Sequence, residues 1–411
     1  MTATARTDAI IATTPKDPRG TAVGQRLRPL AVGIWLQGLL LWVPVEKLFM
    51  TDIGFDATTI GLVAAVYAAV VPLLEIPFGI LADRWSRSGT LILSSLALAA
   101  SSLVGGLSDG PATYVISAVL LGTYFALSSG TADSIVYDTL VEETGTSDGY
   151  ERWIGRLQLV EAVALVVSAV LGGLLTAAFS PRVTYFLTVP FVASAAIAFA
   201  RCREPRLHRR EERVSYRRQA ATTLRALAGR PTLRPVIALS ALAAITAQVL
   251  FEFGPLWLVD AGASSAWYGP YWAAVVSTVG IGAWLASRID LTRRSIVGLV
   301  SAVPVGAALL LVAAPSLVAV IAMQILIALV AAVVTVRSSF LMHEAVPAHI
   351  RAGVSSGAST VAWLAFVPLS VFFGRLSHAE GVRSAAWIHV AITAALAMLL
   401  HRAPRPAAAR T

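Results

Sequence analysis

Apolar runs of roughly twenty residues, the length of helix that crosses a ~30 Å hydrocarbon core, recur along this 411-residue chain. They are read as spans near 30–51, 59–81, 90–108, 112–137, 153–178, 183–200, 233–258, 267–287, 295–313, 316–340, 354–374 and 383–401. Only 13% of the residues are charged, about half the share of a soluble domain. The alternating ~10-residue segments of a membrane barrel are absent. Helices remain as the spanning elements, because backbone groups in lipid must be satisfied within their own segment. The fold class is therefore an all-α membrane protein of twelve transmembrane helices.

Twelve spans place both termini on one side of the membrane. The connections on that side carry Arg84, Arg87, Arg288, Arg293, Arg294, Arg402, Arg405 and Arg410, five Lys or Arg before residue 29, and eleven arginines between Arg201 and Arg234. The other side offers only Lys47, Arg182, Arg375 and Arg383. The positive-inside rule puts the basic side in the cytoplasm. Topology and attraction to anionic lipid thus account for the net charge of +9, and nucleic acid is not an expected partner. The stretch before residue 30 lacks the apolar core of a signal peptide and reads as a disordered cytoplasmic tail. The single Cys202 permits no intrachain disulfide. Thirty arginines against two lysines, abundant alanine and no asparagine suggest a GC-rich bacterial source, hence a bacterial inner membrane.

The long polar segment in the middle leaves six spans on each side, and the two sets resemble each other. "LFMTDIGFDATTIG" (48–61) matches "LWLVDAGASSAWYG" (256–269) at an offset of 208; Leu81-Ala82-Asp83-Arg84 matches Leu285-Ala286-Ser287-Arg288 at 204; Ser134 and Val141 match Ser339 and Val346 at 205. Ordered matches at nearly constant offset indicate a duplicated, parallel six-helix unit, an arrangement that places a binding site near mid-membrane between the halves. The expected parts are a tail (1–29), an N-terminal bundle (30–200), a basic linker (201–232), a C-terminal bundle (233–401) and a second tail (402–411).

"GILADRWSR" (79–87), between spans 2 and 3, resembles the signature of the major facilitator superfamily, G-x-L-A-D-R-x-G/S-R-K/R, with Ser88 at the usually basic last position. The segments "PLLEIPFGILADRWSR" and "SGTADSIVYDTL" look like bacterial drug and metabolite exporters of that superfamily. The resemblance implies alternating access between two six-helix bundles by a monomer in the bilayer, with a small-molecule substrate, a proton as coupling ion and no cofactor or enzymatic activity. It also implies a conformational latch: Gly79, Asp83, Arg84 and Arg87 acting with an acid near the cytoplasmic end of span 4, Asp138 or alternatively Asp133, and with the start of span 11 near Ser355. A helix N-terminus there suits Asp83. The Gly-Pro pair of proton-coupled drug antiporters is missing from span 5, where Gly172-Gly173 stands alone. Efflux of a small organic molecule is expected first; an uptake symporter and a non-transporting sensor or scaffold are the alternatives.

Ionisable side chains inside spans are costly, which makes them functional candidates. Glu161 lies near the midplane, with Gln158 on its face and Arg156 one turn nearer the cytoplasm, either coupling protons or forming a structural ion pair. Glu46 beside Lys47, and Glu252 beside Gln248, sit in the outer halves of spans 1 and 7 as gate or cavity residues; Glu46 and Lys47, 100° apart on a helix, need not pair. Glu75 precedes the loop motif, Asp133 shares a face with Tyr137, and Arg337 falls at similar depth in the other half. Trp35, Trp42, Trp257, Trp272 and Trp363 are either interfacial anchors or ring-stacking contacts for substrate. "GLSDG" and "GVSSG" occur where no strand-to-helix elbow can form, no Walker A loop is present, and the six histidines lack metal-ligand spacing.

Overall fold

In the computed structural model, the described residues are 18–204, 233–345 and 351–402. The basic linker beyond residue 204, the tail before Pro18 and the tail after Arg402 lie outside them. All regular elements among these residues are helical, and they form the twelve expected spans. Eleven are long and apolar enough to cross a membrane, and Tyr268–Ala286 is the eighth of the twelve.

Two spans are not single helices. Span 1 is a helix Pro18–Gly38, a short 3₁₀ turn Val43–Val45, and a second helix Glu46–Asp52. It begins inside the stretch expected to be a disordered tail. Residues 39–42 are irregular at membrane depth, where each polar backbone group needs a partner. The Leu41 N–H finds one in the Thr188 hydroxyl at 3.1 Å. The Leu41 carbonyl packs so closely on Gly172 that a β-carbon there would sit 2.1 Å from its oxygen. Span 4 breaks between Pro111–Ser128 and Thr131–Thr144 at Gly130, whose φ of +65° suits glycine.

The packing repeats with an offset of six spans. Span 1 packs on spans 5 and 6, span 2 on 4, and span 3 on 4 and 6; span 7 packs on 11 and 12, span 8 on 10, and span 9 on 10 and 12. Each half is thus a bundle of the same construction. Span 2 meets span 11, and span 5 meets span 8, across the interface between the bundles.

That interface is tightest at the end opposite the basic loops. A β-carbon on Gly61 of span 2 would lie 2.4 Å from the Ser370 carbonyl and 3.0 Å from Gly374 Cα; one on Gly173 of span 5 would lie 2.8 Å from Gly269 Cα of span 8. Backbone meets backbone at both crossings. Gly79, near the basic end of span 2, has nothing within 4 Å of the same position. The bundles therefore meet backbone to backbone at that end, and a β-carbon on Gly79 at the other would find open space.

Asp56, at the closed end, caps span 2. Its carboxylate accepts from the Thr59 N–H at 2.7 Å, and the Thr59 hydroxyl accepts from the Asp56 N–H at 2.9 Å, a complete capping box. The Thr59 N–H holds the Asp56 carboxyl below its ordinary range. A depressed carboxyl contributes stability above its unfolded value and loses it as pH falls through the folded one. Asp56→Ala is expected to cost about 1 kcal/mol, with the deficit shrinking as wild type is acidified below about pH 4; thermal melts of both proteins from pH 7 to 3 measure it. His378 of span 11 stands 3.6 Å from Asp56, but both side chains are about half exposed, so this pair adds little.

Candidate functional site

A charged cluster lies where the two halves of the chain meet. Lys47, on the second helix of span 1, is 2% exposed. Its ammonium donates to Glu46 Oε2 at 2.8 Å and to Glu252 Oε1 of span 7 at 2.5 Å. Each glutamate gives its other oxygen to a tyrosine. Tyr67 of span 2 donates to Glu252 Oε2 at 2.9 Å, and Tyr114 of span 4 donates to Glu46 Oε1 at 2.8 Å. Tyr114 also meets Tyr185 at 2.8 Å, and Tyr185 stacks on Trp42 with ring centroids 5.1 Å apart. All four carboxylate oxygens thus accept from donors. Two acids face one base, so the ionised cluster carries one net negative charge away from water. Such charge is tolerated only when paired and hydrogen-bonded.

Neighbours on a helix diverge by about 100°, so sequence alone leaves open whether Glu46 and Lys47 pair. They pair because the helix starts at Glu46, immediately after the 3₁₀ turn, and the long lysine stem reaches both acids. Tyr67 and Tyr114 were not singled out. Each is one aromatic among many in an apolar run, and only the packing aims its hydroxyl.

A cavity of about 140 Å³ lies beside the cluster, lined by Ala244, Ile245 and Gln248 of span 7 and by Ser359, Ala362, Trp363 and Phe366 of span 11. It sits near the middle of both spans. Trp363 meets Tyr67 edge-on, with centroids 6.0 Å apart. Gln248 Nε2 donates to the Tyr67 hydroxyl at 3.0 Å. An unbroken chain of hydrogen bonds therefore runs from the cavity wall through Gln248 and Tyr67 to Glu252, Lys47 and Glu46.

Of the tryptophans singled out from sequence, only Trp363 lines this cavity. Trp42 donates to Ser102 at 3.1 Å, Trp257 is buried against Phe373 and His389, and Trp272 stacks on Phe251.

Glu161 and Asp133 are both exposed. Gln158 is exposed as well. Arg156 does not neutralise Glu161; its guanidinium lies 4.7 Å from the Trp153 ring centroid. Tyr137 turns edge-on to Tyr150, and no hydrogen bond joins it to Asp133 among the described residues. Glu75 accepts from Ser129 at 2.9 Å, tying span 2 to the break in span 4. Arg337 lies over the Phe340 ring of its own helix, 5.6 Å from the centroid.

At the basic end, Arg87 donates to the Asp138 carboxylate and, at 3.2 Å, to the Ser134 carbonyl. Asp83, at the end of span 2, lies 3.8 Å from Arg87, at the start of span 3, and Arg84 is exposed. Ser86 caps span 3 by accepting from Gly89 N–H, and it donates to Glu204 at 2.6 Å. Arg26 bridges Glu142 and Glu143 at 3.0 and 2.6 Å. These contacts all lie inside the N-terminal half. The side chains at residues 346–353, ahead of Ser355, are outside the described ones.

The sequence profile of the Major Facilitator Superfamily matches residues 30–367. The chain belongs to that superfamily of membrane transporters. Among curated proteins, none matches this sequence. Solved structures share the fold at low identity. A bacterial homologue of the human lysosomal transporter Spinster, inward-facing and occupied, is 17% identical with a TM-score of 0.73, over 95% of this chain and 99% of that one. The nucleoside transporter NupG is 13% identical with a TM-score of 0.71, over 92% and 98%. The xylose transporter XylE from E. coli, in an inward-open conformation, is 13% identical with a TM-score of 0.70, over 95% and 98%.

Proposed function

We propose that the protein is a proton-coupled secondary transporter that exports a small organic molecule across a bacterial inner membrane, with its basic loops and both termini in the cytoplasm. The observation that carries this reading is the buried Glu46–Lys47–Glu252 cluster. It bridges the two halves, holds one more acid than base, and connects by hydrogen bonds to the cavity. A proton is the smallest charge that can neutralise the excess, and a group spanning both halves is sensitive to their separation. With the basic end cytoplasmic, the glycine crossings close the outside, and the Gly79 face opens inward.

Glu46 and Glu252 thus replace Glu161 as the leading coupling pair. Glu161 and Asp133 keep a second role, as exposed acids on the cytoplasmic approach. Arg87 and Asp138 form the N-terminal part of the latch, and Asp83 closes against span 11 when the inside shuts. Gly79, with open space beside it, leaves room for that closure. The monomer is complete, since both halves of the cluster come from one chain.

The test is flux in proteoliposomes carrying an imposed proton gradient, across a panel of small aromatic, nucleoside and sugar compounds, with Glu252→Gln and Glu161→Gln beside wild type. Gradient-driven export in wild type, at least tenfold slower in Glu252→Gln and little changed in Glu161→Gln, is the expected result. Equal loss in both variants would return the coupling role to Glu161. Gradient-driven accumulation in place of export would establish the uptake symporter.

A further inference from the structure

The Tyr67 hydroxyl has one hydrogen and two neighbours. It gives that hydrogen to Glu252 Oε2 at 2.9 Å, so Gln248, 3.0 Å away, must supply the other hydrogen bond from its NH₂ group. This follows from counting hydrogens and does not depend on telling amide oxygen from nitrogen. The amide oxygen of Gln248 is thereby left for the cavity that this residue lines. With Glu252 ionised, the cavity presents an acceptor.

A proton arriving on Glu252 Oε2 reverses the order. Glu252 then donates to the Tyr67 oxygen, the Tyr67 hydrogen turns to Gln248, and the amide must rotate to accept it. Its NH₂ group now faces the cavity. One proton enters from water, none is lost, and no covalent bond other than the new O–H forms. Every charged or titratable group within hydrogen-bond reach of the Glu252 carboxylate takes part: Lys47 holds Oε1, Tyr67 holds Oε2, and Glu46 with Tyr114 stands behind Lys47.

The geometry points to Gln248 and Tyr67 as a hydrogen-bond polarity switch, by which the proton on Glu252 decides whether the cavity takes a ligand carrying an N–H or O–H donor. The ligand class follows from the lining. Trp363 and Phe366 supply aromatic rings, Gln248 is the polar contact nearest the cluster, and among the described residues no charged side chain lines the space. A cavity of about 140 Å³ is close to one that admits a benzene-sized guest. The fitting ligand is a small, planar, uncharged ring system with one donor on its edge. Ligand and proton then exclude each other, which is the requirement for exchange. This deepens the export reading and rests on it.

Tyr67 is a positioning residue here, and the diagnostic readout is a pH profile. Indole has a ring N–H; 1-methylindole lacks it; neither titrates between pH 5 and 8.5. Equilibrium dialysis of each labelled compound against the full chain in nanodiscs, with empty nanodiscs subtracted, gives both affinities. Wild type should prefer indole by about tenfold at pH 8.5, the worth of one hydrogen bond, and lose that preference toward pH 5. Tyr67→Phe should bind the two compounds in a pH-independent ratio. Glu252→Gln, which cannot titrate, should give a flat ratio as well and serves if Tyr67→Phe folds poorly. A flat ratio in wild type, a wild-type profile in either variant, a preference that grows on acidification, or no binding of indole at any pH overturns the inference. Failure of the export reading would show separately, as absent flux in vesicles while the dialysis profile persists.

Discussion

Replacing Gly61 with valine should hold the two bundles apart at the end where they now touch, and should abolish transport. The first added carbon would meet the Ser370 carbonyl at 2.4 Å and Gly374 Cα at 3.0 Å. Both are backbone atoms, so no side chain can turn aside. The clash exists only when that end is closed, so the substitution is tolerated in the opposite state. A differential cost of about 5.5 kcal/mol is enough to move a two-state equilibrium from 1:99 to 99:1, and van der Waals overlap of this size supplies several of those kilocalories. Labelling of a cysteine introduced at Ser359, in a Cys202→Ser background, reports the shift. Reagent applied from the basic end should label wild type fast and Gly61→Val at least tenfold more slowly. Equal labelling rates would mean that the crossing at Gly61 does not govern closure. Gly269→Val, against the Ala169 carbonyl at 2.7 Å, should act in the same direction.

The second large effect concerns Lys47. Lys47→Met keeps the length of the side chain and removes its charge. Glu46 and Glu252 would then share a buried site with no cation between them. Breaking a buried pair by removing one partner typically costs 3–5 kcal/mol, because the remaining charge is left uncompensated. The expected outcome is a fall in thermal stability of that order together with loss of flux. Removing one acid as well should relieve much of the cost: Lys47→Met with Glu252→Gln is expected to be more stable than Lys47→Met alone, by 1 kcal/mol or more of coupling in a double-mutant cycle. If the double variant melts no higher than the single one, the two residues are not coupled through charge.

How far this could be read from the chain alone differs from residue to residue. The twelve spans were legible because lipid imposes one length and one secondary structure on every crossing. The loop motif 79–87 was legible because charged residues so close together in an apolar chain need a reason. Arg87 and Asp138, which the motif's resemblance placed in one latch, are hydrogen-bonded although they are 51 positions apart. The breaks in spans 1 and 4 were not legible. Hydropathy is blind to a helix that stops and restarts within the same apolar run, and the partner that permits the break at Leu41 is Thr188, in another span. Gly172 and Gly173 were noted for the proline they lack. What they do is admit the Leu41 carbonyl on one side and span 8 on the other.

Glu46, Lys47, Gln248 and Glu252 each stood out, because a charge or amide in a span is expensive wherever it sits. Their grouping did not follow. Lys47 and Glu252 are 205 residues apart, and the internal repeat does not superpose the two glutamates. Tyr67 gave no signal at all, since a tyrosine in a span is ordinary until its hydroxyl is seen between Gln248 and Glu252.

By itself, then, the sequence determined the class of fold, its two-fold construction and the inventory of charges placed in the membrane, because the free energy of transfer into hydrocarbon acts on each residue separately. Tertiary structure alone decided which of those charges meet, which end of the interface is closed, and which hydroxyl connects the cavity to the acids. Those outcomes depend on distances of a few ångströms between residues far apart in the chain, and no local property of either residue records them.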